Sequence, residues 1–91
     1  MSEIRILNGN VNLLKILLGK ELAEKLDLNS GDTIVTMETT EQIEVGRNVF
    51  EALIQQGWSG YSVKEGKTEK KLNEFESDTE KIVMFGPVGG G

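Results

Sequence analysis

Lys81-Ile82-Val83-Met84-Phe85 is a dense apolar run, and Gly86-Pro87 ends it. The run is short for a helix, carries β-branched residues, and stops at a proline that cannot donate to a ladder. It therefore reads as a buried central strand. Such a strand needs pairing partners at both edges and an apolar layer against it, and this requirement organises the reading of the remaining residues. The chain has 91 residues, of which 37% are hydrophobic and 27% charged, enough for one modest core in one domain. A core this small leaves little stability to offset an elaborate internal active site, so function is expected on the surface.

The opening stretch Ile4-Arg5-Ile6-Leu7 alternates and is closed by the turn pair Asn8-Gly9, which predicts a strand over 3–7. Between 12 and 28, Leu14, Leu18, Leu22 and Leu26 recur at helical spacing, with Leu13 and Leu17 beside them. Gly19 costs about 1 kcal/mol inside a helix, so a break there is expected, with a second helix over 20–27. The leucine row reads as core, or else as an exposed stripe that pairs with another chain. Asn29-Ser30-Gly31-Asp32 is a turn.

Residues 33–38 are β-branched and alternating, and Ile43 and Val45 alternate again after Thr39-Thr40-Glu41, so 33–45 is expected to form a hairpin. Asn48-Val49-Phe50-Glu51 resembles a helix cap with a glutamate three residues on. A helix over 48–57 is expected next, buried through Val49, Phe50, Leu53 and Ile54 and stopped by Gly57. A short strand is expected around Tyr61 and Val63, then a turn at Glu65-Gly66. Residues 67–80 form a charged, solvated connection anchored by Leu72 and Phe75, with room for one short strand.

The chain contains no cysteine and no histidine, which removes disulfides, thiol nucleophiles, cysteine-ligated metals and the usual neutral-pH general base. The remaining carboxylates, lysines and hydroxyls show no nucleophile–base spacing, so no enzymatic activity and no cofactor is expected. Glu74, Glu76, Asp78 and Glu80 lack the glycine hinge and loop order of a calcium motif, so no metal is expected there. A net charge of −5 disfavours phosphate backbones and anionic lipid as partners. The apolar stretch 11–18 is interrupted by Asn12 and Lys15, and Met1-Ser2-Glu3 has no basic character, which predicts neither a signal peptide nor a membrane span. A cytoplasmic protein is the expectation.

The residues after the final strand carry the most information. Pro87, Val88, Gly89, Gly90 and Gly91 offer little to a packed core, and glycine loses more conformational entropy on ordering than any other residue. The last eleven residues, KIVMFGPVGGG, resemble the end of ubiquitin-like sulfur carriers of the molybdopterin-synthase small-subunit and thiamine-biosynthesis type, in which a strand leads into a segment close to P-P-V-A-G-G. Pro87, Val88, Gly90 and Gly91 agree with that pattern, Gly89 stands for its alanine, and Gly86 stands for its first proline, which loosens the approach to the tail. The order of elements from Thr33 onward is similar to that family's β-grasp fold.

The resemblance implies an α+β, ubiquitin-like β-grasp with a mixed sheet and one packed helix over 33–86. Residues 87–91 would be a flexible glycine tail, and strand 81–85 would lie centrally and parallel to the first strand. Residues 1–32 would then be either the first strand with inserted helices or an added helical extension, all within a single domain 1–91. It further implies that the carrier itself does no catalysis. Gly90 and Gly91 would enter an ATP-dependent adenylating enzyme, with Pro87, Val88 and Gly89 positioning them, for transfer to a downstream acceptor as a thiocarboxylate or as a protein modifier. Glycine suits that role because a residue without Cβ lets the backbone approach the nucleotide closely. The bland alternative is a frayed glycine end on a non-catalytic β-grasp interaction module.

A second resemblance, over LLGKELAEKLDLNSGDTIVTME, is to swapped-hairpin DNA-binding domains of transition-state regulators and antitoxins, which Leu28, Gly31 and Asp32 match. The charge opposes it: Arg5, Lys15, Lys20 and Lys25 are cancelled by Glu3, Glu21, Glu24, Asp27 and Asp32. Trp58 and Tyr61 could form a stacking platform, but beside Gly57 and Gly60 they read first as cover for a helix end.

Overall fold

The run 81–85 does occupy the middle of a sheet. In the computed structural model, which describes residues 2–29 and 31–87, the order of elements is β1 (Ser2–Gly9), α1 (Val11–Leu18), α2 (Lys20–Glu24), β2 (Gly31–Met37), α3 (Thr40–Gln55), β3 (Ser59–Lys64), β4 (Lys67–Leu72) and β5 (Lys81–Phe85). The strands form one five-stranded mixed sheet in the order β2-β1-β5-β3-β4. β5 runs parallel to β1, with Ile4 beside Ile82 and Ile6 beside Met84, and antiparallel to β3. The molecule is thus α+β, and β1 belongs to the centre of the sheet, so the sheet is not confined to residues 33–86.

One face of the sheet carries the core. Ile4, Ile6, Val35, Met37, Leu72, Ile82 and Met84 point to it and are buried together with Val49, Phe50 and Leu53 of α3 and Leu14 and Leu18 of α1. The helix break at Gly19 is real, with φ at +88°. The leucine row is core: Leu14 and Leu18 are buried, and Leu22 and Leu26 are partly buried against the core cluster. The exposed apolar residues of α1 are instead Leu13 and Ile16. The α1 start is capped by Asn10, whose Oδ1 accepts from the Leu13 amide at 3.1 Å.

The expected hairpin over 33–45 is half wrong. β2 is a strand, but Gln42-Ile43-Glu44-Val45 forms the first turns of α3, which begins eight residues before the expected start near Asn48. A capping box decides the boundary. Thr39 Oγ1 accepts from the Gln42 amide at 3.1 Å, while Gln42 Oε1 accepts from the Thr39 amide at 3.1 Å and the Glu38 amide at 2.8 Å. These bonds satisfy backbone donors that a helix start otherwise leaves free. The two-residue alternation of Ile43 and Val45 is too short to compete. Once the helix includes Ile43, that residue and Val45 pack against the core.

Gly46, a poor helix residue by propensity, sits where α3 crosses β2. A Cβ there would collide with the Met37 thioether. Gly60 serves the same end on β3, since a Cβ would lie 2.9 Å from Phe50 Cε2.

The far end of α3 matches expectation. Gly57 takes φ +89°, its amide donates to the Ile54 carbonyl and the Trp58 amide to the Leu53 carbonyl, both at 3.0 Å. That is a Schellman closure, sealed by the buried pair Leu53 and Trp58. β3 and β4 are joined by Glu65 and Gly66, both at positive φ, the conformation of a tight hairpin turn.

Candidate interaction face and tail root

The helices pack on one side of the sheet, and the residues of the other side are half-buried to exposed. Cross-strand register places Ile34, Arg5, Val83, Tyr61 and Lys71 in one row across all five strands of that outer face. Phe85 stands one step along β5 and stacks on Tyr61, with ring centroids 5.5 Å apart and an interplanar angle of 4°. Leu7 and Val63 continue the same face and, like Tyr61, Val83 and Phe85, are half-buried, while Ile34 is 44% exposed. The result is a half-buried apolar band along the outer face of the sheet.

Arg5 and Lys71 bring charge into this row, and that of Arg5 is partly neutralised. Arg5 reaches across to Asp32 at 3.3 Å, with both side chains about a third exposed, so the pair contributes at most about 1 kcal/mol. Arg5 Nε is nonetheless covered and has no hydrogen-bond partner. The guanidinium therefore lies along the face. Glu3 and Lys81 are neighbours in the β1–β5 register, at the edge of the band.

The central strand β5 is buried on one face. Ile82 and Met84 enter the core, whereas Val83 and Phe85 face outward. The outward residues Ile34, Val83 and Phe85 do not stand out in the sequence as functional. The signal exists as two-residue alternation in each strand, but it becomes a patch only when the register aligns four strands.

Trp58 and Tyr61, close in sequence and read together, are separated by the fold. Trp58 is buried at the end of α3, as a helix-end cover should be, whereas Tyr61 belongs to the open face. Trp58 also forms the floor under the root of the tail. A Cβ on Gly86 would lie 3.3 Å from Trp58 Cζ2 and 3.4 Å from Cε2. Gly86 thus packs closely on the indole, where a side chain would press the ring by a few tenths of an ångström. Pro87 comes next and is exposed. Val88, Gly89, Gly90 and Gly91, the rest of the candidate tail, lie outside the described residues.

The acidic connection does not converge on a common point. Glu76 pairs with Lys70 at 3.2 Å, and among the described residues no group of three potential ligands could hold a metal ion. Phe75 anchors the connection by packing 5.9 Å from Phe50, with the Arg47 guanidinium 5.6 Å above its ring. Gly31 and Asp32, which the DNA-binding resemblance used, open β2, and β2 pairs with β1 of the same chain. No helix among the described residues is long and apolar enough to cross a membrane.

Searches against protein-family models, curated proteins and solved structures gave no match to this chain.

Proposed function

We propose that this chain is a ubiquitin-like β-grasp carrier that presents Gly90-Gly91 to an ATP-dependent adenylating enzyme and is recognised through its open sheet face. The observation that carries the reading is the arrangement of the sheet. The last strand is central and parallel to the first, one long helix packs across a single face, and the central strand runs directly into Gly86-Pro87 and the glycine segment. A β-grasp carrier needs that continuity, because a tail springing from the middle of a rigid sheet has a defined origin relative to the docking face. The place of α1 and α2 between β1 and β2 supports reading residues 10–30 as an insertion rather than an added subdomain.

In this reading the protein is a substrate and no catalyst. The carboxylate of Gly91, free as a chain end or freed by removal of any residues beyond it, attacks the α-phosphorus of ATP and displaces pyrophosphate. A sulfide or an amine then displaces AMP, giving a thiocarboxylate or an amide. Tyr61, Val83 and Phe85 contribute apolar contact area that holds the carrier while the tail reacts. The place of work would be the cytoplasm, where such activating enzymes and ATP meet.

ATP–pyrophosphate exchange with an adenylating enzyme of the same genome tests this. Exchange is expected with the 91-residue chain, and loss of exchange on deletion of Gly91 or in Gly90→Val. Equal exchange with and without Gly91 refutes the carrier. Absence of exchange in every case leaves the open face as the functional element and favours a non-catalytic interaction module.

A further inference from the structure

The two edges of the sheet are built differently. β4 carries Lys67, Glu69, Lys70 and Lys71 among its six residues, and its register with β3 is broken between Ser62 and Val63. Charges and a bulge are the usual devices by which an edge resists further pairing. β2 has neither. Asp32 is its one charged side chain and is engaged by Arg5. Thr33, Ile34, Val35 and Thr36 are consecutive β-branched residues, and the register with β1 is unbroken from Met37 to Thr33. Among the described residues no second strand pairs with β2, and Ile34 stands 44% exposed at its midpoint.

We propose that the β2 edge is a docking site for an extended segment of another protein, which adds to the sheet as a sixth strand. Main-chain hydrogen bonds would supply affinity, and alternate side chains specificity. On the outer face, the residue opposite Ile34 continues the row Ile34–Arg5–Val83–Tyr61 and is therefore apolar. Charge sets the ends of the segment. Glu38 comes directly after β2 and Glu41 stands in the first turn of α3, both exposed, so the segment carries lysine or arginine where it passes them. A second copy of this chain is the poorer occupant, because it would bring another −5 of net charge and its own Glu38 and Glu41 to the joint. The inference does not depend on the tail.

The test titrates the isotope-labelled full chain with two synthetic peptides, KKVTVTV and EEVTVTV, monitored by amide shifts and hydrogen exchange. The lysine peptide is expected to shift and protect amides of β2 and to bind about tenfold more tightly than the glutamate peptide at low salt, with the gap narrowing as salt rises. Ile34→Lys is expected to weaken binding of the lysine peptide about tenfold. The double change Glu38→Lys with Glu41→Lys, both at exposed sites, is expected to reverse the preference. Failure of the lysine peptide to bind, equal affinities, perturbation centred on β4 or on Tyr61 and Phe85, or self-association through β2 would each overturn the proposal.

Discussion

Where α3 begins can be decided by the sign of two stability changes. Thr39 closes the capping box with Gln42, so Thr39→Ala removes the acceptor for the Gln42 amide and should destabilise the protein by about 1 kcal/mol. For a domain of this size that lowers Tm by about 4–8 °C. Asn48 lies in mid-helix and is exposed, so Asn48→Ala replaces a middling helix former with the best one and should stabilise by up to about 0.5 kcal/mol. If the helix began near Asn48, as the pattern Asn48-x-x-Glu51 suggested, the signs would be exchanged: losing Asn48 would cost about 1 kcal/mol and Thr39 would lie in a loop. Urea denaturation monitored by circular dichroism gives both values, with unchanged m showing that neither variant alters the surface exposed on unfolding. Gln42→Ala adds a control, because its side chain accepts from both the Glu38 and Thr39 amides. Its effect should be non-additive with Thr39→Ala. A destabilising Asn48→Ala paired with a neutral Thr39→Ala would refute the capping box.

Adjacent residues of β5 should respond differently in the same assay: Ile82→Ala, inside the core, is expected to cost about 2–5 kcal/mol, and Val83→Ala, on the open face, under about 1 kcal/mol. Gly46→Ala should destabilise by about 1–3 kcal/mol despite alanine's better helix propensity, because its methyl meets the Met37 side chain; a gain in urea midpoint would contradict that packing. Gly57→Ala should cost about 1 kcal/mol through strain alone, since φ is +89° and open space surrounds the site. In the exchange assay, Val83→Glu should raise the KM for the carrier at least about tenfold while leaving the fold intact by circular dichroism; an unchanged KM would remove the sheet face from recognition.

What local sequence determined are the features with local causes. The strand 81–85, the breaks at Gly19 and Gly57 and the inward stripe Val49, Phe50 and Leu53 were legible because a short apolar run, a residue suited to positive φ and a period of 3.6 each work within a few residues. The start of α3 also had a local signature, Thr39-x-x-Gln42, but a short alternation that mimics a strand overlay it. Tertiary structure was needed wherever the cause lies far along the chain. Charged β4 is a strand because Leu72 reaches the core opposite Gly60, and Gly46 is tolerated in a helix because Met37 passes beneath it. Ile34, Val83 and Tyr61 become one face because antiparallel and parallel registers bring together residues up to 49 positions apart, with Arg5 between Ile34 and Val83. Side-chain alternation is written into each strand separately, but a surface exists only after the strands are aligned, and pairing over such separations is set by burial of the whole inner layer rather than by any one segment.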